Sequence, residues 1–412
     1  MSQTEVQLIK ADAVVTADIA NSAVTDAKIS GLTSSKLTGA LPAISGAALT
    51  GIASAGKAKN LIINGAMQVA QRGTSNTTNG YGTVDRFANF YNGTDEAPTQ
   101  AQVAVAAGTT PYTSGFRNAL KITNGNQTSG VGSTDYIWIQ HKLEAQDISN
   151  SGWNYTSASS NITLSFWVKS SLAQDFKGYL RTKDGTSQMY PFATGSLSAD
   201  TWTKITKTIP GNSNLQFDND VNEGLEINIA PFFGTDLTNN ATTEDAWAAY
   251  VAADRTKDNT STWWTTNDAT FEITGVQLEV GDNATDFELL SYQETLLRCY
   301  RYFYAHIGML WGITSAGDHL DLNLTFPIPM RTAPSRTQND TSLLFKNRLD
   351  QNNSTSATTY SYSGVVSPTG DFWVARPGSG DTWGTNYASN ESRGIYYHVY
   401  EGTISYSWSA EL

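Results

Sequence analysis

Hydrophobic and polar positions alternate in many short segments between residues 58 and 290. The clearest segment has apolar residues at every second position, namely Ile162, Leu164, Phe166 and Val168. A period of two is typical of strands that bury one face. Glycine, asparagine and aspartate separate the segments, and such turn residues favour antiparallel connections. The pattern therefore predicts a jelly-roll-like β-sandwich over residues 58–290.

Two segments have the spacing of a helix instead. Residues 243–254 place aromatic and aliphatic side chains at i, i+3 and i+4, after acidic residues in the first turn, which predicts a helix. Ser291 and Glu294 have the spacing of a capping box, which predicts a second helix beginning at that serine. We interpret this second helix as a hinge that leads out of the sandwich.

The first 57 residues follow neither period. They contain no aromatic residue, and apolar residues recur in steps of five, as at Ile19, Val24 and Ile29. Such a segment buries too little apolar area to fold alone. Identical chains wound around a common axis could each present one aliphatic residue per short turn. We therefore predict an intertwined oligomeric stalk over residues 1–57, with a flexible linker as the alternative.

The strand pattern returns after the second predicted helix. Short alternating segments rich in aromatic residues continue from Arg301 to the end of the chain. Residues 291–412 are therefore predicted to form the hinge helix and a C-terminal β domain. The fold class predicted for the whole chain is all-β.

Composition and charge exclude several classes of partner. The chain has 412 residues, 26 Lys and Arg against 38 Asp and Glu, and a net charge of −12. A surface this acidic argues against nucleic acid and against anionic lipid, because both need basic contacts. No apolar stretch is long enough for membrane insertion, and the N-terminus has no signal-peptide pattern, so we expect synthesis in a cytoplasm. Cys299 is the only cysteine, which excludes an intramolecular disulfide.

Two stretches combine flat aromatic rings with hydrogen-bonding side chains, as sugar binding requires. The first contains Trp263 and Trp264; in a strand, one of these rings would face inward and the other outward. The second is a glycine-rich segment near the C-terminus, of the loop type that commonly carries recognition on a β scaffold. Its candidate carbohydrate-binding residues are Trp373, Arg376, Asp381, Trp383, Asn386 and Tyr387. For each tryptophan, packing in a core is the alternative.

Metal and catalytic signals are weaker. Asp218, Asp220 and Asn222 stand at alternate positions, a spacing at which oxygen ligands can converge on Ca²⁺. The spacing of glycine and of the final ligand does not match an EF-hand, and a polar turn is the alternative. No other cofactor is predicted. No nucleophile or phosphate-binding motif is present, and no carboxylate pair stands out, so we expect no enzymatic activity.

Three sequence motifs occur in an order that indicates a protein family. Residues 60–304, with "LSFWVKSS", "TGVQLEVG" and "SYQETLLRCYRYF" in that order, resemble the sandwich domain of tail fibres and related appendage proteins of tailed bacteriophages, especially the marine and cyanobacterial type. The N-terminal "AVTDAKI" resembles repeats that precede such domains.

The resemblance implies a homotrimeric virion structural protein of the tail, with a carbohydrate-binding-like sandwich. Other tail or baseplate proteins would hold the N-terminus, and the C-terminal tip would bind a host-surface glycan. The resemblance carries no catalytic residues. Two alternatives remain open: a purely structural tail component without receptor contact, and a polysaccharide depolymerase.

Overall fold

Two six-stranded antiparallel sheets pack face to face and form the first part of the fold. The computed structural model describes residues 60–306, 311–315, 319–338, 343–347, 354–357, 360–377, 396–399 and 406–412. The strands of the sandwich are β1 (Ser75–Asn76), β2 (Phe87–Asn92), β3 (Thr99–Ala104), β4 (Asn118–Thr123), β5 (Tyr136–Glu144), β6 (Asn161–Ser170), β7 (Asp175–Thr182), β8 (Gln188–Ser196), β9 (Thr203–Pro210), β10 (Glu223–Phe233), β11 (Ala248–Ala249) and β12 (Thr270–Val280).

The strand order makes long crossovers between the two sheets. The first sheet has the order β1-β3-β4-β12-β6-β9, and the second has the order β11-β8-β7-β10-β5-β2. Three short helices interrupt the strands: α1 (Thr110–Thr113), α2 (Ala145–Ser149) and α3 (Thr262–Thr265). A 3₁₀ helix spans Thr235–Leu237. The prediction of an all-β, jelly-roll-like sandwich is confirmed.

The core lies between the two sheets and follows the alternation in the sequence. In β6, all four alternating apolar residues are fully buried, and in β5 Ile137 and Ile139 point into the same core. Packing of this kind stabilises the fold by roughly 1.5–3 kcal/mol for each large apolar side chain buried. The opposite face of β5 carries Tyr136, Trp138 and Gln140 away from this core. In β5, the outer face of the second sheet therefore carries aromatic and amide side chains, whereas the face toward the core carries isoleucines.

The second predicted helix forms as expected. Helix α4 spans Tyr292–Tyr300, and Ser291 and Glu294 make the reciprocal hydrogen bonds of a capping box. Cys299 on this helix is fully buried. Among the described residues, no helix is long and apolar enough to cross a membrane.

The helix predicted over residues 243–254 is wrong. This segment contains the edge strand β11, in which Ala248 pairs with Met189 of β8. The Trp247 indole donates to the carbonyl oxygen of Pro210 at 2.7 Å, and Asp245 has a positive φ of 58°. Bonds to distant strands replace the i to i−4 ladder of a helix here, so tertiary contacts override the local pattern.

The chain after α4 forms two further antiparallel sheets. Their strands are β13 (Phe303–His306), β14 (Trp311–Ser315), β15 (His319–Thr325), β16 (Ser335–Gln338), β17 (Leu343–Asn347), β18 (Ser354–Ala357), β19 (Tyr360–Ser367), β20 (Gly370–Pro377), β21 (Tyr396–Val399) and β22 (Tyr406–Ser409). The smaller sheet has the order β13-β22-β16, and the larger has the order β18-β17-β21-β14-β15-β20-β19. This agrees with the predicted C-terminal β region.

Buried ion pairs join this region to the sandwich within one unit, Ser54–Leu412. Glu144 at the end of β5 is fully buried and accepts two bonds of 2.6 Å from the guanidinium of Arg301. It also accepts a 2.6 Å bond from the hydroxyl of Tyr302. The predicted domain boundaries at residues 57 and 290 stay predictions, and the predicted stalk lies outside the described residues.

Candidate functional site

The outer face of the second sheet carries a group of aromatic side chains, which we call the aromatic face: Phe90, Tyr136, Trp138, Tyr179 and Phe233. Trp138 lies at its centre. Its ring centroid is 4.2 Å from that of Tyr136, 5.4 Å from that of Phe233 and 5.8 Å from that of Phe90. Tyr136 and Trp138 are two positions apart on β5 and therefore share this side of the sheet.

Cross-strand register brings polar groups to the same face. Gln140 stands opposite Asn228 of β10, and its amide donates to the Asn228 Oδ1 at 2.9 Å. The Asn228 Nδ2 and the Trp138 Nε1 are buried and have no hydrogen-bond partner in the described part of the chain. A buried donor left unpaired costs about 1–3 kcal/mol. Both N–H groups lie below the surface of the face, so they are not open to a ligand in this conformation.

Most charged groups on this face are paired. Lys177 lies 2.6 Å from a carboxylate oxygen of Asp175 and 2.9 Å from one of Glu244. The guanidinium of Arg181 lies 3.9 Å from Glu226. These pairs fix the side chains at one end and one edge of the aromatic face.

Two acidic side chains at the start of β10, Glu223 and Glu226, affect each other's ionisation. Burial and the neighbouring Glu226 raise the pKa of Glu223 to about 7. Burial also opposes ionisation of Glu226, but the bond from Glu223 and the ammonium of Lys183, 3.0 Å away, outweigh it and lower the pKa of Glu226. The two pKa values are therefore shifted in opposite directions, as is typical of neighbouring carboxyl groups.

Residues 234–258, which we call the covering segment, lie against the aromatic face. Tyr250 of this segment donates its backbone N–H to Ser187, and the guanidinium of Arg181 lies 3.7 Å from the centre of the Tyr250 ring. The guanidinium carbon of Arg255 is 5.4 Å from the ring centre of Trp138. The Nε of Arg255 also donates to the Tyr250 hydroxyl at 3.2 Å. The segment thus adds a cation and a phenol to the face.

Trp263 and Trp264, predicted to offer an exposed ring, do not. They lie on α3, not on a strand, and both are fully buried. The indole of Trp263 donates to the carbonyl oxygen of Thr270 at 3.1 Å, and that of Trp264 donates to Gly130 at 2.7 Å. That prediction is wrong, because a helical turn does not alternate between two faces and both rings complete the core between the sheets.

The C-terminal candidates are only partly described. The backbones of Trp373 and Arg376 lie in β20, where Trp373 stands opposite Leu322. Their side chains are outside the described part of the structure. Four further candidates lie outside the described residues altogether: Asp381, Trp383, Asn386 and Tyr387. The predicted sugar site on this loop stays a prediction.

The three candidate calcium ligands form part of a polar turn. Asn222 donates its backbone N–H to the Asp220 carboxylate at 3.0 Å, and the backbone N–H of Asp218 donates to the carboxylate of Asp184 at 3.0 Å. The first bond is typical of an Asx turn, whereas the second joins two separate loops. The described residues contain no group of three His, Cys, Asp or Glu side chains placed to hold a metal ion. Asparagine is not among these residue types, so the calcium site at Asp218, Asp220 and Asn222 stays a prediction.

Sequence reasoning placed Tyr136 and Trp138 on a strand but did not assign them to a site. The signal was present, because Tyr136, Trp138 and Gln140 alternate with two isoleucines that need the core. Such a strand exposes aromatic and amide groups on its other face. Asn228 and Arg255 have no comparable local signal. Asn228 reaches the face because β10 pairs with β5, and Arg255 reaches it because the covering segment folds back over the sheet.

The sequence matches no protein-family model and no curated protein. Among solved structures, the chain is similar to the enzymatically active domain of bacteriophage CBA120 tailspike protein 4, with 10% identity, a TM-score of 0.29, and coverage of 54% of this chain and 21% of that one. It is similar to a structure described as CBM4, with 13% identity, a TM-score of 0.26, and coverage of 53% and 99%. A putative sugar binding protein from Bacteroides thetaiotaomicron gives 15% identity, a TM-score of 0.26, and coverage of 54% and 100%. At these scores, the likenesses carry no conclusion about function.

Proposed function

We propose that this chain binds a polysaccharide through the aromatic face of its sandwich. The observation that carries the proposal is the group of partly exposed rings, Phe90, Tyr136 and Trp138, beside the guanidinium of Arg255. A pyranose ring presents C–H groups that stack on flat aromatic faces and hydroxyl oxygens that accept hydrogen bonds. The rings supply the first complement, and the guanidinium of Arg255 on the covering segment supplies the second.

The biological setting is proposed from the sequence resemblance. We propose a homotrimeric tail fibre of a bacteriophage, located on the virion tail and made in the host cytoplasm. Residues 1–57 would wind three chains together and attach them to other tail or baseplate proteins. The sandwich, the C-terminal loop, or both would then contact the host-surface glycan.

The expected mechanism is reversible adhesion through many weak contacts. One sugar ring stacked on Trp138 is worth on the order of 1 kcal/mol, by analogy with aromatic pairs. Three chains in one fibre raise the overall affinity through effective concentration, without any new contact. A weak single site is therefore compatible with firm attachment to a cell.

We also propose that the sandwich binds without cutting. Glycoside hydrolysis commonly uses two carboxyl groups about 5–9.5 Å apart, with room for the scissile bond between them. The carboxyl groups of Glu223 and Glu226 both pair with lysines, Glu223 with Lys142 at 3.0 Å and Glu226 with Lys183 at 3.0 Å. Carboxylates held in ion pairs with lysines are poorly suited to act as a proton donor and a nucleophile, which supports a binding role over a depolymerase at this position.

The test measures binding of the full chain to purified bacterial surface polysaccharides. Trp138→Ala should weaken binding about fivefold to tenfold, the loss of one stacked ring. Trp167→Ala is the matched control, because Trp167 is also partly buried but lies in β6, on the opposite sheet. Its affinity should match that of the wild type.

Melting temperatures separate loss of binding from loss of folding. Tyr136→Ala provides a second variant if Trp138→Ala does not fold. Equal affinity of the Trp138 and Trp167 variants would refute the assignment of the face. A wild-type chain that binds none of the polysaccharides would instead favour a purely structural tail component.

A further inference from the structure

Unlike the other cations near the aromatic face, Arg255 has no carboxylate partner among the described residues. Arg181 and Lys177 lie within 4 Å of carboxylates. None of the ion pairs formed by the described residues includes Arg255. The contacts of its side chain are the hydroxyl of Tyr250 and the rings of Trp138 and Phe233, the ring centre of Phe233 being 6.0 Å away. Arg255 therefore brings a positive charge to the face without a carboxylate to neutralise it.

The hydrogen-bonding groups around Trp138 have the same bias. The Trp138 Nε1 and the Asn228 Nδ2 are donors without a partner, whereas the Asn228 Oδ1 already accepts from Gln140. An arginine side chain carries five N–H donors and no acceptor. The Nε of Arg255 uses one of these on Tyr250. The donors of Trp138 and Asn228 are buried, so the guanidinium of Arg255 is the group that can meet a ligand. A negatively charged acceptor would both accept from its remaining N–H groups and balance its charge.

We infer that Arg255 makes this site selective for an acidic polysaccharide, by pairing with the carboxylate of a sugar that lies against Trp138. The inference rests on the proposed polysaccharide-binding function and names its substrate class. A guanidinium binds a carboxylate through two parallel N–H bonds, which fix orientation as well as charge. A neutral glycan would leave Arg255 without a counter-charge and would gain only the stacking contact.

The net charge of the chain makes a local cation necessary for such a ligand. At −12, the surface as a whole repels an anionic polymer. Screening limits this repulsion to about 8 Å at physiological ionic strength. A guanidinium in direct contact with the ligand acts inside that distance, so one well-placed arginine can attract a carboxylate that the rest of the surface does not. Binding should weaken as salt rises, because the decisive contact is between charges.

The experiment uses the full chain and an array of purified acidic and neutral bacterial polysaccharides. Each acidic polysaccharide that binds is tested again after chemical reduction of its carboxyl groups to alcohols. Wild-type protein should bind the acidic form at least about tenfold more tightly than the reduced form, the ratio expected for loss of one charged hydrogen-bonded pair. Arg255→Gln should remove this ratio, and Arg255→Lys should retain part of it.

Arg117→Gln is the matched control. The guanidinium of Arg117 lies 3.9 Å from the ring centre of Tyr112, also over an aromatic side chain, but it donates to the carbonyl oxygens of Tyr112 and Phe116. This variant should keep the wild-type ratio. A merely structural role of Arg255 would lower the melting temperature without changing the ratio of acidic to reduced ligand.

Each outcome decides between the two proposals. Binding that survives carboxyl reduction, or a ratio unchanged in Arg255→Gln, overturns the inference and leaves polysaccharide binding standing. Binding to neutral polysaccharides alone also overturns it. Failure to bind any polysaccharide refutes the proposed function itself. Preference for the acidic form that is lost with Arg255 and kept with Arg117→Gln supports the inference.

Discussion

Replacing Glu411 with glutamine should destabilise the protein strongly, although the residue lies next to the end of the chain. Its carboxylate pairs with Arg86 and, at 3.1 Å, with Arg72 of the sandwich. The side chain of Arg86 is only 1% exposed, and its guanidinium carbon lies 3.5 Å from the ring centre of Tyr302. The substitution keeps the shape of the side chain and removes its charge.

The magnitude follows from what remains around Arg86. Breaking a buried ion pair by removing one partner costs about 3–5 kcal/mol, because the other charge stays buried. Arg86 retains its bond of 2.6 Å to the carbonyl oxygen of Lys142 and its contact with Tyr302. We therefore expect the lower value, about 3 kcal/mol, which corresponds to a fall in melting temperature of about 6–12 °C for a sandwich of this size.

Thermal unfolding at pH 7, followed by calorimetry, measures the effect. Asp245→Asn is the control, because the carboxylate of Asp245 also pairs with a cation, Lys207 at 3.0 Å, but its side chain is 52% exposed. An exposed pair of this kind contributes about 0–1 kcal/mol. Equal melting temperatures for the two variants would refute the reasoning that burial of Arg86 sets the cost.

Three further predictions concern stability. Trp264→Ala should lower the free energy of unfolding by about 3–5 kcal/mol in chemical denaturation, because the ring fills the core. A variant that remains folded but has an altered affinity for the glycan would contradict the assignment of this ring to the core. Ser291→Ala should cost about 1 kcal/mol by removing the cap of α4, whereas Ser291→Thr should restore most of it; equal loss in both would contradict the cap. Burial, and then Glu144, raise the pKa of Asp147 to about 6. The folded protein therefore binds a proton that the unfolded chain has released, and stability is lost as pH rises from about 4 to 6. Asp147→Asn lacks this loss. Between pH 3.5 and pH 7.5, its free energy of unfolding relative to that of the wild type should therefore rise by about 1–2 kcal/mol in urea titrations. A free energy of unfolding that changes with pH equally in both proteins would contradict this prediction.

Part of the candidate site could be predicted from the sequence. The alternation of Tyr136 and Trp138 with isoleucines already implies that both rings share the face opposite the core. The prediction of an exposed ring at Trp263 or Trp264 is wrong because both residues lie on a helical turn and not on a strand. A four-residue helix has too few positions to show a period, so only the core around it reveals that both rings are buried.

The sequence by itself determined the elements whose signals are local. Periodicity of two produced the buried face of β6, and the spacing of Ser291 and Glu294 produced the cap of α4, since both depend on residues only a few positions apart. Tertiary structure alone decided what meets across the sheets. Asn228 reaches Gln140 over 88 residues, and Glu411 reaches Arg86 over 325. Such contacts depend on strand order and register, which are set by the summed packing of the whole core and leave no pattern in any short stretch of the chain.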